Sequence, residues 1–334
     1  MNKHITNRFP GMACAYMDVE GKEIWESYGV ADKETTVLVD EDTVFPACSI
    51  SKFITAICVL RLQEQNVIDI DKPVNDYLQR WKLRTLNESE STTTIRALLC
   101  HTSGIVDGED GFYGHRRDDE EIRLIEILEG KTSYNNRPAR VEQPQETMFE
   151  YSDSGFCVIQ LLLEEVTGKK FEDIAANLIF DKLCLKNTFF GTRKNINYYE
   201  QNRTMATGYQ GGGLPISGKY PICPDLAASG LWSTPKELLI IAKDFLASLN
   251  GEGRILSEQS VREMIRPVEQ FPWVGLGLFL YGEDTLVSKG WGENGQCMLK
   301  MNISTHEIGV VMANQDPQMP QEESGIECMV ERKW

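Results

Sequence analysis

Val44-Phe45-Pro46-Ala47-Cys48-Ser49-Ile50-Ser51-Lys52 is the stretch on which the reading of this chain turns. It sets a serine hydroxyl and a lysine amine three residues apart, and positions i and i+3 share one face of a helix. Phe53, Ile54, Ile57, Cys58, Leu60 and Leu62 follow, apolar nearly all round a helical wheel, which predicts a central, buried helix. A serine in the first turn of such a helix sits where unpaired backbone N–H groups stabilise developing negative charge.

Ser-x-x-Lys is short enough to recur by chance, and it does, at Ser233-Thr234-Pro235-Lys236. There Ser233 is expected as a helix N-cap and Pro235 as a first-turn residue. Leu238, Leu239, Ile241 and Ala242 then form the helical face that follows. Cys48 is a rival nucleophile by chemistry, but adjacent residues at a helix start point in different directions, and reactivity needs a depressed thiol pKa.

The chain has 334 residues, 41% of them apolar, and can bury a large core as one elaborate domain or two. Its net charge of -16 argues against nucleic acid, because a polyanion meets no basic face. The run Asp118-Asp119-Glu120-Glu121 reads as a solvated helix start, since Ile122, Leu124, Ile125 and Leu128 follow with helical spacing. No stretch is apolar for long enough to span a membrane, and Met1-Asn2-Lys3-His4 shows no signal-peptide core, so a cytoplasmic, soluble protein is expected. Nine cysteines, with no Cys-x-x-Cys pair, sit mostly in apolar segments and read as reduced core residues. Neither they nor the four histidines make a zinc spacing. No metal or cofactor is implied, and the oligomeric state is left open.

Residues 11 to 31 alternate as a hairpin about Glu20-Gly21-Lys22. From about 74 to 200 the pattern is chiefly helical, with aperiodic stretches at 107 to 118 and 131 to 147 that are candidate active-site loops. A helix is predicted from about Ser154 to Thr167, stopped by Gly168. Short apolar runs at Val274 to Tyr281, Thr285 to Val287, Gln296 to Met301 and Glu307 to Met312 read as antiparallel strands. The expectation is an α/β (α+β) fold in which one antiparallel sheet is built from both termini and flanked by helices. Residues 1–75 and 200–334 would form the sheet domain, and 76–199 a mainly helical insertion.

Two further segments support Ser49: Tyr151-Ser152-Asp153, just before the predicted helix, and Ser288-Lys289-Gly290-Trp291-Gly292, a Gly-rich strand edge. In that order Ser-x-x-Lys, Tyr-x-Asp and Lys-Gly resemble the three motifs of the serine β-lactamase and penicillin-binding-protein superfamily. The tyrosine makes the chain similar to the class C branch, which also contains esterases and D-amino-peptidases. Asp42-Thr43-Val44-Phe45, the 68–74 segment, Arg96 to Gly104, Ala228 to Thr234 and Gly275 to Leu278 resemble landmarks of the same family in the same order.

The resemblance implies a β-lactamase/transpeptidase-like fold and an acyl-enzyme formed on Ser49. Lys52, if its pKa is lowered by desolvation, or Tyr151, if its pKa is lowered by cationic neighbours, would take the proton. Tyr151 would relay it to the leaving group and later to water. The Ser49 N–H and an N–H from the strand at 290 to 292 would hold the oxyanion. Asp153, Lys289, Gly290 and Trp291 are the candidate substrate-binding residues. Asp153 could equally cap its helix, and Trp291 could line the acyl pocket or anchor a hairpin. His101, in His-Thr-Ser-Gly, reads as structural.

The chain departs from the family pattern twice. Asp153 stands where the family often has Asn, exchanging an amide donor for an acceptor-only carboxylate. In the third motif either Lys289 is the cation and Trp291 replaces glycine, or Ser288-Lys289-Gly290 is the frame and serine replaces the cation. The implied function is a serine hydrolase acting on a small ester, amide, D-amino-acid peptide or β-lactam. A catalytically weak, ligand-sensing homologue of the same fold is the alternative.

Overall fold

The computed structural model describes residues 8–109, 111–116 and 119–332. Its strands, in chain order, are β1 (Gly11–Met17), β2 (Glu23–Asp32), β3 (Val37–Leu38), β4 (Phe45–Cys48), β5 (Arg84–Thr85) and β6 (Arg140–Val141). There follow β7 (Phe189–Phe190), β8 (Leu231–Ser233), β9 (Phe279–Tyr281), β10 (Thr285–Gly292), β11 (Gly295–Asn302) and β12 (Ile308–Ala313). Seven of them form one antiparallel sheet in the order β3-β2-β1-β12-β11-β10-β9. Strands from the two ends of the chain therefore meet at its centre, where β1 pairs with β12 from Met12↔Ala313 to Met17↔Ile308. The alternation at 11 to 31 is realised as the β1–β2 hairpin, turned at Gly21 with φ 77°.

The sheet is covered on both faces. Val287, Met298 and Val311 point into a smaller cluster with Ile326, Met329 and Val330 of the C-terminal helix. Leu286, Leu299 and Val310 face the main core, which contains the Ile50–Glu64 helix. That helix is buried from Ile50 to Leu60, as its all-round apolar pattern predicts. Phe53 meets Phe245 of the Pro235–Ser248 helix edge to face at 5.2 Å, and Thr55 Oγ1 donates to the Ala227 carbonyl at 2.8 Å.

Between the two halves of the sheet the chain carries several helices, of which Ile50–Glu64 and Asp153–Thr167, at 15 residues each, are the longest. Ser152 caps the latter by accepting from the Gly155 N–H, and Gly168 ends it with φ 66°. β7 pairs with β8, which in turn pairs with β4. These three strands form a small sheet of their own.

Three local expectations need correction. The cap of the Pro235–Ser248 helix is Thr234, whose Oγ1 accepts from the Glu237 N–H, while Ser233 Oγ is buried against Thr188 Oγ1 at 2.7 Å. Asp118 lies outside the described residues, and the helix after it begins only at Leu124, so Asp119 to Glu121 do not start it. The run from Val274 is a strand only over Phe279–Tyr281, because Gly275 and Gly277 bring the backbone close against neighbouring segments. At Gly277, with φ 69°, a Cβ would stand 2.7 Å from the Lys52 carbonyl. Among the described residues no helix is long and apolar enough to cross a membrane.

Thr234→Ala should lower unfolding stability by about 1 kcal/mol through loss of the cap. Urea denaturation of the two variants should show a larger loss for Thr234→Ala than for Lys236→Ala, whose half-buried side chain pairs with Glu41.

Candidate active site

The geometry begins with an irregularity in β4. Its register against β8 shifts between Pro46 and Cys48, and Cys48 takes φ 46°, a left-handed conformation uncommon for a side-chain-bearing residue. This turn feeds Ser49 straight into the first turn of the Ile50–Glu64 helix. Lys52, one turn on, is 2% exposed. Its Nζ donates to Ser49 Oγ at 3.1 Å, to Asp153 Oδ1 at 2.5 Å and to the Ala228 carbonyl at 3.0 Å. An ammonium has three protons, and here three acceptors receive them.

Burial works against the charge on Lys52, but Asp153 and Tyr151 outweigh it, so the ammonium is held well above its ordinary pKa. This corrects the expectation of a lysine depressed by desolvation: at neutral pH Lys52 keeps its proton. Burial is also the largest influence on Tyr151 and pushes the phenol up, with Lys52 pulling it down and Asp153 adding to the rise. Both groups are therefore protonated at rest. The Tyr151 ring lies 4.8 Å from Lys52 Nζ, and Lys52 and Ser49 both draw its phenol pKa down.

Asp153 is the first residue of its helix rather than the cap, and its carboxylate faces Lys52, which removes the capping alternative. Its backbone is anchored by a second acid that sequence reading missed. Asp107 accepts from the N–H groups of Asp153 at 2.5 Å and Ser154 at 3.3 Å, and from Ser152 Oγ at 3.0 Å. Burial, then the charge of Asp153, raises the Asp107 carboxyl to about 6. A third acid, Asp225, is fully buried and accepts from the Tyr134 hydroxyl at 2.6 Å, while its Oδ2 has no partner among the described residues. Burial and Asp153 raise it to about 7. No spacing signal tied Asp107 or Asp225 to the motifs, because each reaches the site from a loop or a short turn.

His101 has a place behind Tyr151. It adopts φ 57°, its Nδ1 accepts from the Ser152 N–H at 3.1 Å, and its ring stacks on Tyr151 at 4.3 Å. Burial, then Lys52, pushes its pKa well below the usual value, so it is a neutral ring that positions the tyrosine.

The third motif runs along β10. β9 pairs with β10 only over Thr285, Leu286 and Val287, so the outer edge from Ser288 to Gly292 has no strand beside it and runs next to β4. A Cβ on Gly290 would strike the Ala47 carbonyl at 2.5 Å, which explains glycine there. Side chains alternate along a strand, so Ser288 and Gly290 share Leu286's face and Lys289 shares Val287's. Lys289 Nζ accordingly pairs with Glu322 at 2.7 Å. The structure thus favours Ser288-Lys289-Gly290 as the frame and places Lys289 away from Ser49. Trp291 is 47% exposed; it borders the site while its indole N–H donates to Asp316 at 2.8 Å. Cys48 is buried, with its Sγ 3.9 Å from the Gly295 carbonyl.

Ser49, Asp153, Gly292 and Asn294 line a chamber of about 70 Å³ walled by Phe112, Tyr113, Tyr134, Cys223 and Trp232. A serine beside a lysine and a tyrosine at a helix start, with an unpaired strand edge alongside, is an arrangement that can support serine acyl transfer.

The profile of the family described as Beta-lactamase matches residues 3–327, so the chain belongs to that family. Penicillin-binding protein 4 of Amycolatopsis lactamdurans is 30% identical over 179 residues, which are 53% of this chain and 43% of that protein. Teichoic acid D-alanine hydrolase of Staphylococcus aureus is 24% identical over 215 residues, 64% of this chain and 48% of that one. This chain spans less than half the length of either relative. Among solved structures, D-amino acid amidase from Ochrobactrum anthropi SV3 superposes with a TM-score of 0.79 at 21% identity, covering 98% of this chain and 93% of the other. That likeness establishes the β-lactamase-like fold.

Removing either partner of the Lys52–Asp153 pair leaves a charge in a poorly solvated place, at a cost on the order of 3 kcal/mol. Lys52→Met and Asp153→Asn should each lower unfolding stability in urea, and the double variant should lose clearly less than the sum.

Proposed function

We propose that this chain is a serine hydrolase that forms an acyl-enzyme on Ser49 and acts on small esters or amides, with substrates carrying a free amine favoured over anionic ones. The hydrogen bond from Lys52 Nζ to Ser49 Oγ, within an otherwise saturated ammonium, is the observation that carries this reading.

In this mechanism Lys52 acts first as a fixed positive charge. It holds Ser49 Oγ in position and stabilises the alkoxide as the serine proton leaves. Tyr151, whose ring lies 4.8 Å from Lys52 Nζ, accepts that proton once it has itself ionised and later returns it to the leaving group. The serine oxygen attacks the carbonyl carbon, and the oxyanion is received by the Ser49 N–H and an N–H of the 290–292 edge. Collapse expels the alcohol or amine, and water repeats the sequence on the acyl-enzyme.

Charge determines which substrates suit the site. Asp153 faces Lys52 and neutralises it, and Lys289, the cation expected for a substrate carboxylate, is engaged with Glu322 instead. An anionic β-lactam therefore meets no free lysine, whereas the ammonium of an aminoacyl ester or amide meets the carboxylates of Asp153 and Glu293 on the chamber wall. The names of the two comparison proteins that act on D-alanyl or D-amino-acid groups agree with this preference. The ligand-sensing alternative is weakened by the ammonium bonded to the nucleophile with the tyrosine ring 4.8 Å away, an arrangement that a binding pocket alone does not need.

Ser49→Ala should abolish turnover of p-nitrophenyl acetate by on the order of 10⁴-fold. Wild-type kcat/KM for this ester should exceed that for nitrocefin by more than about tenfold. Equal or faster nitrocefin turnover would make β-lactamase the better description.

Asp153 raises both Lys52 and Tyr151, so Asp153→Asn lowers both, and ionisation of the base occurs at lower pH. The alkaline rise in kcat/KM should move toward neutral pH in this variant. A profile that stays in place would remove Asp153 from the proton-transfer group.

A further inference from the structure

We infer that Glu293 is a specificity-determining residue: by clasping the strap of residues 111–116 across the Ser49 chamber, it restricts the enzyme to short acyl groups. The inference rests on the hydrolase reading above.

Glu293 lies in the tight turn between β10 and β11, directly after the strand edge that borders Ser49. Its carboxylate accepts from the Gly114 N–H at 2.5 Å through one oxygen and pairs with the Arg116 guanidinium through the other. The pair is partly shielded, with side-chain exposures of 18% and 23%. A charged, two-point attachment of this kind is stronger and more directional than a neutral contact. Among the described residues the strap is otherwise tied to Tyr134: Phe112 N–H donates to its carbonyl at 2.6 Å, and the Phe112 and His115 rings meet its ring edge to face at 5.6 and 5.9 Å.

The strap supplies Phe112, Tyr113 and His115 to the chamber wall. On its far side lies an open cleft of about 1320 Å³. His115, Ile222 and Cys223 line both spaces, so they form the partition between them. The chamber itself, at about 70 Å³, has room for a few waters. An acetyl or alanyl group fits such a space, and an octanoyl chain does not. With the strap in place a long acyl chain is turned away from Ser49. With the strap released the chamber opens into the cleft, which accommodates it. Arg116 is the other half of the clasp, and no catalytic group described above touches either residue.

The test compares kcat/KM for p-nitrophenyl octanoate and p-nitrophenyl acetate in wild type, Glu293→Ala and Arg116→Met. The octanoate-to-acetate ratio should rise by at least about tenfold in both variants, since excluded methylene groups set discrimination of that order. Folding is monitored by urea denaturation, and a merely structural role would lower stability or both rates together without moving the ratio. A ratio unchanged in both variants would overturn the assignment of Glu293 while leaving the hydrolase reading intact. Wild-type enzyme that neither turns over ester nor reacts with a fluorophosphonate would overturn that reading, and the inference with it.

Discussion

The candidate site depends on one buried ammonium and its three acceptors. Lys52 Nζ ties together Ser49 in its own helix, Asp153 at the start of another helix and the carbonyl of Ala228 in the short turn before β8. These groups come from segments 101 and 176 residues away in the chain. A lysine so buried would shed its proton without a counter-charge, and the Asp153 carboxylate reverses that tendency. The surrounding details serve this arrangement. Cys48 takes a left-handed turn to deliver Ser49, Asp107 grips the backbone of Asp153, and His101 backs Tyr151.

A carboxylate in place of an amide also changes where protons reside. With an amide beside it, a buried lysine has no opposing charge and loses its proton more readily; here the ammonium is stable and the phenol beside it is un-ionised. In the proposed mechanism, ionisation of Tyr151 is the activating event, assisted by Lys52 and opposed by Asp153. The same carboxylate lines the chamber beside Ser49, so the proposed preference for cationic over anionic substrates rests on the residue that also fixes the proton on Lys52.

Features encoded in local periodicity were legible in the sequence. The all-round apolar helix after Ser49, the β1–β2 hairpin, the Asp153–Thr167 helix with its glycine stop, and the strands β10 to β12 each carry a pattern that burial requires. What could not be read depends on contacts between distant segments. Lys289 looked like a substrate cation because spacing alone does not reveal which face of β10 it occupies; the pairing with β11 and Glu322 decide that. The protonation of Lys52 escapes the sequence for the same reason, since its desolvation can be foreseen from the helix pattern while Asp153's approach cannot. Asp107, Asp225 and Glu293 sit in loops and turns with no periodicity, and their partners lie far along the chain. Thr234 capping in place of Ser233 is a one-residue error of the ordinary kind at helix ends.

The most direct test of the account is rapid-quench intact-mass measurement during turnover of an activated ester, followed by peptide mapping of the trapped species. The account predicts an adduct of one acyl mass on the peptide containing Ser49, absent when Ser49 is alanine. An adduct carried by Cys48 or any other residue, or turnover with no covalent species, would contradict it.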